Sequence, residues 1–405
     1  MRCDLPTRVV LAALAGLVCA ALRVPEAAVP AALVARPRAA LLLAAAVAAG
    51  WGALRVEALD RHQLAPGRIA GELVVTGRPD GGRALGRLAG SREDVLVIAP
   101  QPLRLGGHYR IEGTARPIDG PAAGYYAGQG AHLELRAGTI DSIGRRGGGW
   151  GLIDALHHGA LARLGAAGRP TQQRSLVAGV TLGDDSGLDD VERERFRTSG
   201  LSHIVAVSGQ NVALVVAFTI VTLGLAGLLG GPARWTALAV TVLYVLVTGA
   251  GPSVVRAGVA GGLTLTAWLV SRPVLRWHLV ACGAVAVLAV NPLDLFNPGF
   301  QLSFAAVTAI MLVAPRFSPG FGQAVAISVA CSLATAPIAW WHFGRVAPMS
   351  VPANLLALPA VAPILALGLA AVLAGSLWPP LAAPLLGLAD ILAAYVLWVA
   401  GLCSG

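Results

Sequence analysis

The sequence predicts a polytopic α-helical membrane protein carrying a small, β-barrel-like soluble domain near its start. Three observations predict it. Of 405 residues, 56% are hydrophobic and 13% charged, and the mean hydropathy of +0.70 lies outside the range of soluble globules and of disordered chains. Charge is also segregated. From Leu201 onward there are six arginines and two acids, Asp294 and Asp390, whereas ten acids lie between Arg55 and Asp141. Finally, that charged block is cut into short alternating runs, while the chain after Gly200 consists of long apolar ones.

The elements follow in order. Val9–Leu22 and Ala39–Leu54 are apolar segments short of the roughly 20 residues of a full crossing, with Arg23, Arg36 and Arg38 around the link. They predict a membrane hairpin over residues 1–54; a cleaved signal peptide is the rival reading of the first segment. Residues 55–146 contain "GRIAGELVVTGRP", "DVLVIAP", "HYRIEGTARPI" and "AHLELRAGTI". Alternating runs with Gly, Pro and Asp breaks suit a small barrel or sandwich, and an oligonucleotide-binding (OB-like) barrel fits the size. Residues 147–200 predict amphipathic or interfacial helices. "WGLIDALHHGALARLGAAG" has helical spacing with His157, His158 and Arg163 between its apolar positions, and Asp189 and Asp190 suit the start of a charged helix. Residues 201–405 predict a bundle of seven or eight helices, several broken by Pro or Gly as in "TGAGPSVVRAG", "NPLDLFNPGFQLSF" and "VPANLLALPAVAP".

All 30 basic residues are arginine. Without lysine these residues can build neither a nucleotide-binding P-loop nor a Schiff base, which places any motor on another chain. The five cysteines form no C-x-x-C, and no metal site or cofactor is implied. The net charge of +9 is what positive flanks of membrane spans produce.

The candidate functional residues are polar groups inside apolar runs, where lipid offers them no hydrogen-bond partner. Ser208, Gly209, Gln210 and Asn211 interrupt one run, Arg256 stands inside another, Gln301 and Ser303 open a third, and Asn354 follows Pro352. Each has a structural alternative: amides and hydroxyls bridge helices, Arg256 snorkels or pairs with Asp390, Gly209 packs closely, and His203 caps a helix. Together they point to an internal polar path. Amides, hydroxyls and one or two arginines suit a large hydrated anion, such as single-stranded nucleic acid or a lipid-linked sugar, better than a small cation. Trp340, Trp341, Phe300 and Phe304 could supply stacking surfaces. A membrane-bound enzyme using His203 or Asp390 is the weakest reading, since no nucleophile–base pair accompanies them.

The motifs themselves resemble a known family. "FRTSGLSHIVAVSGQNVALVV", with Gly200 and His203, resembles the signature of the ComEC family of competence proteins, and "SLVAGVTLGDDSGL" its preceding segment. "GPSVVRAGV", with Pro252 and Arg256, "NPLDLFNPGFQLSFAAV", with Phe300 and Phe304, and "LATAPIAWWHFGRVAPMSVPANLLALP" are similar to its later motifs. The resemblance implies an inner-membrane, multi-pass channel that passes single-stranded DNA into the cytoplasm during natural transformation, with its barrel on the external face as a DNA contact. It also implies membrane lipid around it, a separate ATPase motor, nuclease and DNA receptor as partners, and leaves a homo-oligomer open; a permease or flippase for another anionic substrate is the alternative. Two departures matter. Gln210 and Asn211 stand where many members have Leu-His. Many members also continue into a metallo-β-lactamase-like domain marked by H-x-H-x-D-H, which none of the eight histidines here forms, so nuclease activity is not carried over.

Overall fold

The apolar runs fold as helices and the charged block folds as strands. The computed structural model describes residues 5–21, 38–60, 64–79, 82–91, 93–119, 123–165, 171–205, 207, 209–249, 252–269 and 276–404. Ser208 lies outside the described residues, as do the side chains of Pro252 and Arg256. The chain divides into two compact units, Met1–Ala155 with Ala281–Asn297, and Leu156–Val280 with Pro298–Gly405.

In the first unit, α1 (Leu5–Ala21) and α2 (Arg38–Asp60) pack against each other. Five strands follow: β1 (Gly67–Val75), β2 (Arg83–Leu88), β3 (Asp94–Ile98), β4 (Gly107–Pro117) and, after the short helix α3 (Ala123–Ala127), β5 (Ala131–Arg145). They close into a barrel of order β1-β2-β3-β5-β4, in which β3 and β5 run parallel and the other pairs antiparallel. Alternation inside each strand sends Leu73, Val75, Val95, Val97, Ile111 and Leu135 into the barrel core. Closure removes the sheet edges that a five-stranded sheet would otherwise expose.

The barrel is tied to the helices of its unit by polar contacts at helix ends. The last four carbonyls of a helix have no intrahelical partner, and here side chains from other elements supply one. At the end of α11 (Arg276–Val290), Trp51 Nε1 donates to Ala289 O at 2.7 Å, and Arg55 Nε and Nη2 donate to Val290 O at 2.9 and 2.8 Å. The His132 ring lies 3.0 Å from Leu59 O near the end of α2. Asn291, of the Asn-Pro motif, caps the short 3-10 helix Pro292–Phe296 by accepting from Leu293 N at 3.0 Å. Its Nδ2 donates to Gly128 O, just after α3, at 2.6 Å. Beside it, burial pushes the Asp294 carboxyl up to about 6, against a smaller opposing effect from the Asn297 hydrogen bond.

The second unit contains α5 (Gln172–Leu182), α6 (Asp190–Thr198), α7 (Ser202–Val205), α8 (Gly209–Leu225), α9 (Gly231–Val247), α10 (Pro252–Leu269), α12 (Pro298–Val313), α13 (Phe321–Phe343), α14 (Ser350–Leu377) and α15 (Ala382–Cys403). The helix α4 (Gly148–Gly165) precedes α5. Among the described residues, four segments are long and apolar enough to cross a membrane: Pro298–Arg316, Phe321–Phe343, Ser350–Leu377 and Pro379–Cys403. The helices Gly209–Leu225, Gly231–Val247 and Trp277–Val290 are apolar but shorter. The chain is therefore a helical membrane protein carrying a closed five-stranded barrel.

The structure makes two expectations more specific. Residues 147–200 read as amphipathic or interfacial helices, on the membrane surface or against the bundle, and within them α5 is core: Ser175, Leu176, Val177, Gly179, Val180, Thr181 and Leu182 are all buried. The helix lies against α14 and α15. Gly368 permits this approach, because a Cβ there would stand 2.2 Å from Thr181 Oγ1. The second concerns Asp390, whose partner among the described side chains is Arg174, the side chain of Arg256 lying outside them. Arg174 Nε donates to Asp390 Oδ1 at 2.9 Å, Nη2 donates to Oδ2, and Nη1 donates to Leu164 O at 2.8 Å. The charged helix α6 starts as expected, with Asp189 accepting from Glu192 N at 2.8 Å.

Candidate functional site

Of the residues at 208–211, the three that are described differ in setting. Gly209 opens α8 and Gln210 is exposed, whereas Asn211 is 2% exposed and turned into the bundle. Its Nδ2 donates to Val180 O at 2.7 Å, and Tyr244 Oη, from α9, donates to Thr181 O at 3.0 Å. Gly183, left-handed at φ 73°, donates its N–H to Gly179 O at 2.7 Å. Three consecutive carbonyls at the end of α5 thus receive donors at a depth where water is not available. The same logic places His157, 3% exposed, against α9: its Nδ1 is 3.0 Å from Val247 O, the last residue of that helix, and its Nε2 is 4.0 Å from Asp184 Oδ2. The sequence leaves α4 on the membrane surface or against the bundle, and the buried His157, near the same face as Ala160 and Leu164, packs against the bundle.

The motif around Gly200 forms a turn against α14. Gly200, at φ 78°, ends α6, with Leu201 N donating back to Phe196 O at 2.8 Å. A Cβ on Gly200 would lie 2.7 Å from Ser350 Cβ and 3.0 Å from Ala347 Cβ, so both the backbone conformation and the contact require glycine. His203 is exposed, with its Nδ1 3.1 Å from Gly200 O.

Ser350 fixes the depth of this turn. Its Oγ is 3.0 Å from Ser332 Oγ on α13. Ser332 is 11 residues from the Phe343 end of that 23-residue helix, or about 16 Å at 1.5 Å per residue. This is half of a hydrocarbon core of about 30 Å. After the left-handed cap at Gly344, the chain therefore doubles back along α13, and α14 begins halfway along it. One turn into α14, Asn354 is half-buried, and its Oδ1 is buried without a hydrogen-bond partner among the described residues. The first turn of α14 is not an anion cradle. Pro352 has no N–H, and Ala353 N already bonds Met349 O, so Val351 alone offers a donor there.

Two further contacts line the doubled-back segment. His342 Nε2 is 2.9 Å from Gln301 Oε1 on α12, and Arg345 Nη1 donates to Glu194 Oε1 on α6 at 2.7 Å. Ser303 is half-buried on the same helix as Gln301. The aromatic residues do not form a stacking face. Phe300 is 7% exposed and packs on Phe304 at 4.4 Å between centroids, while Trp340 and Trp341 are exposed outward. An open groove of about 690 Å³ between α12 and α13 is lined by Phe304, Thr308, Leu312, Ala330 and Leu333, and it offers an anion almost nothing. Among the described residues no group of three or more His, Cys, Asp or Glu could hold a metal ion.

The polar, doubled-back turn lies inside a region that matches a known family, described as "Competence protein", over residues 180–405. The chain belongs to that family. Two curated relatives are each similar over about half of the chain. ComE operon protein 3 of Bacillus subtilis (strain 168) is 31% identical over 193 residues, covering 47% of this chain and 25% of that protein. The uncharacterized protein YcaI of Escherichia coli (strain K12) is 25% identical over 225 residues, covering 50% of this chain and 29% of its own length. The chain thus spans less than a third of the length of either relative. No solved structure matches it.

Proposed function

We propose that the Gly200 turn, the first turns of α14 and the facing parts of α12 and α13 line a path by which a single DNA strand crosses the inner membrane during natural transformation. The observation that carries this reading is the start of α14 at half the depth of α13, where Ser350 meets both Ser332 and the Gly200 turn and the partnerless Oδ1 of Asn354 follows one helical turn later. Membership of the competence family supports DNA as the substrate. A wall of hydroxyls and amides, with fixed charges such as Arg345 already neutralised by Glu194, suits a polyanion that must leave as readily as it enters. In this reading the barrel faces outward and meets incoming DNA, and a separate motor, nuclease and receptor act with the chain. Of the expected path residues, Arg256, Gln301, Ser303 and Asn354 keep that role in this reading; Asn211 acts as a structural cap.

The test is transformation frequency in a naturally transformable host deleted for the gene and restored with wild type, Asn354→Ala, Gln301→Ala or Arg256→Ala. Loss on deletion, rescue by wild type and failure of the variants at normal membrane abundance support the path. Rescue by all three variants, or no effect of deletion, overturns it and favours a permease for another anionic solute.

A further inference from the structure

A second groove lies in the first unit, among residues that the proposed DNA path does not use. It is open, about 440 Å³ in volume, and lined by Ala13 and Leu17 of α1, Ala44, Val47, Ala48 and Trp51 of α2, and Val285 and Ala289 of α11. The lining side chains are hydrocarbon apart from the indole of Trp51, whose Nε1 is already spent on Ala289 O. One helical turn beyond Trp51 stands Arg55, half-exposed, which holds Val290 O through Nε and Nη2. Its Nη1 has no partner among the described residues.

The order along α2 is that of one bilayer leaflet. From Ala44 to Arg55 is 11 residues, about 16 Å at 1.5 Å per residue, which is half of the roughly 30 Å hydrocarbon core. Small and aliphatic residues occupy the acyl depth, an indole stands where interfacial aromatic residues gather, and a guanidinium follows at the phosphate level. Glu57, two positions further on, projects from a different side of the helix. We propose that this groove is a binding site for one phospholipid with an anionic headgroup, an acyl chain lying between α1, α2 and α11 and the phosphate meeting Arg55. The occupant is chosen by complementarity: an apolar trough alone would take any acyl chain, and the unpaired guanidinium edge at its mouth selects an anion. Because Arg55 also caps α11, a bound lipid would brace the junction by which that helix, Asn291 and the barrel are joined.

The experiment is native mass spectrometry of the full chain in detergent, titrated separately with dioleoylphosphatidylglycerol and dioleoylphosphatidylcholine. The expected result is a first adduct favouring the anionic lipid by about fivefold, the contribution of one arginine beside an anionic headgroup. Arg55→Gln, which keeps a donor for Val290 O but loses the charge, should bring the anionic lipid down to the level of the zwitterionic one with the melting temperature retained. Ala48→Phe, which fills the trough, should weaken the first adduct of both. Equal binding of the two lipids by wild type, or an undiminished preference in Arg55→Gln, overturns the proposal. Displacement of the anionic lipid by inorganic phosphate would reassign the site to a free anion. A dimer that Ala48→Phe dissociates would reassign the groove to a second copy of the chain.

Discussion

Replacing Asn211 by leucine separates a structural cap from a path residue. The side chains are similar in volume, so the substitution leaves little cavity and removes mainly the 2.7 Å bond to Val180 O. A buried carbonyl left without a donor costs about 1–3 kcal/mol, and side-chain hydrogen bonds inside membrane proteins are worth about 0.6–2 kcal/mol. The expected loss is therefore about 1–2 kcal/mol. Tyr244→Phe removes the donor to the next carbonyl, Thr181 O, at similar cost. Since both donors hold one helix end, fraying after the first loss makes the second cheaper, and the double variant should lose less than the sum of the two. Unfolding of purified protein in mixed micelles gives the free energies, and DNA uptake in cells at matched membrane abundance gives the function. If Asn211→Leu retains wild-type stability while abolishing uptake, the capping argument is wrong and Asn211 faces the substrate.

Gly200→Ala should cost about 2–4 kcal/mol, combining a left-handed backbone with the 2.7 Å approach to Ser350 Cβ. Gly227→Ala, also at positive φ but with open space around it, should cost about 1–2 kcal/mol; equal losses in the same unfolding assay would discount the contact. Asp390→Asn should lower the melting temperature, because the partly buried Arg174 loses its charged partner. Arg174→Met combined with Asp390→Leu should restore much of that loss, and a double variant worse than either single one would contradict an isolated pair. The Asp294 carboxyl titrates near 6 when folded and near 3.8 when unfolded. The unfolded chain therefore loses its proton first, and stability should fall as pH rises from about 4 to 6, then level off. Asp294→Asn should flatten that segment of the melting-temperature profile, and an unchanged slope would exclude Asp294 as its source.

Much of the fold was legible because its signals are local. Alternation in "HYRIEGTARPI" and "AHLELRAGTI" specifies strands, apolar length specifies spans, and Asp189 ahead of "DVERERFRT" specifies a helix start. What escaped depends on pairing between distant segments. Asn211 reads as a polar intrusion in an apolar run, and only the position of α5 turns it into a cap. Asp390 reads as a lone acid, and its partner lies 216 residues earlier. The polar set itself was visible, but its division was not: Ser332 and Ser350 lie 18 residues apart, and their contact, which sets the depth of the α14 start, has no sequence period.

The borrowed caps at the end of α5 also set an order of assembly. Val180 O waits for a donor 31 residues downstream and Thr181 O for one 63 residues downstream. While the chain is being synthesised, α5 can emerge before either donor exists, and lipid would leave its last carbonyls bare. Burial of α5 is thus deferred until α8 and α9 have entered the membrane, and it is the later helices that admit the earlier one. A chain interrupted between Asn211 and Tyr244 would hold α5 with one of those two carbonyls still uncapped, and the competence region would mature as a single late event rather than helix by helix.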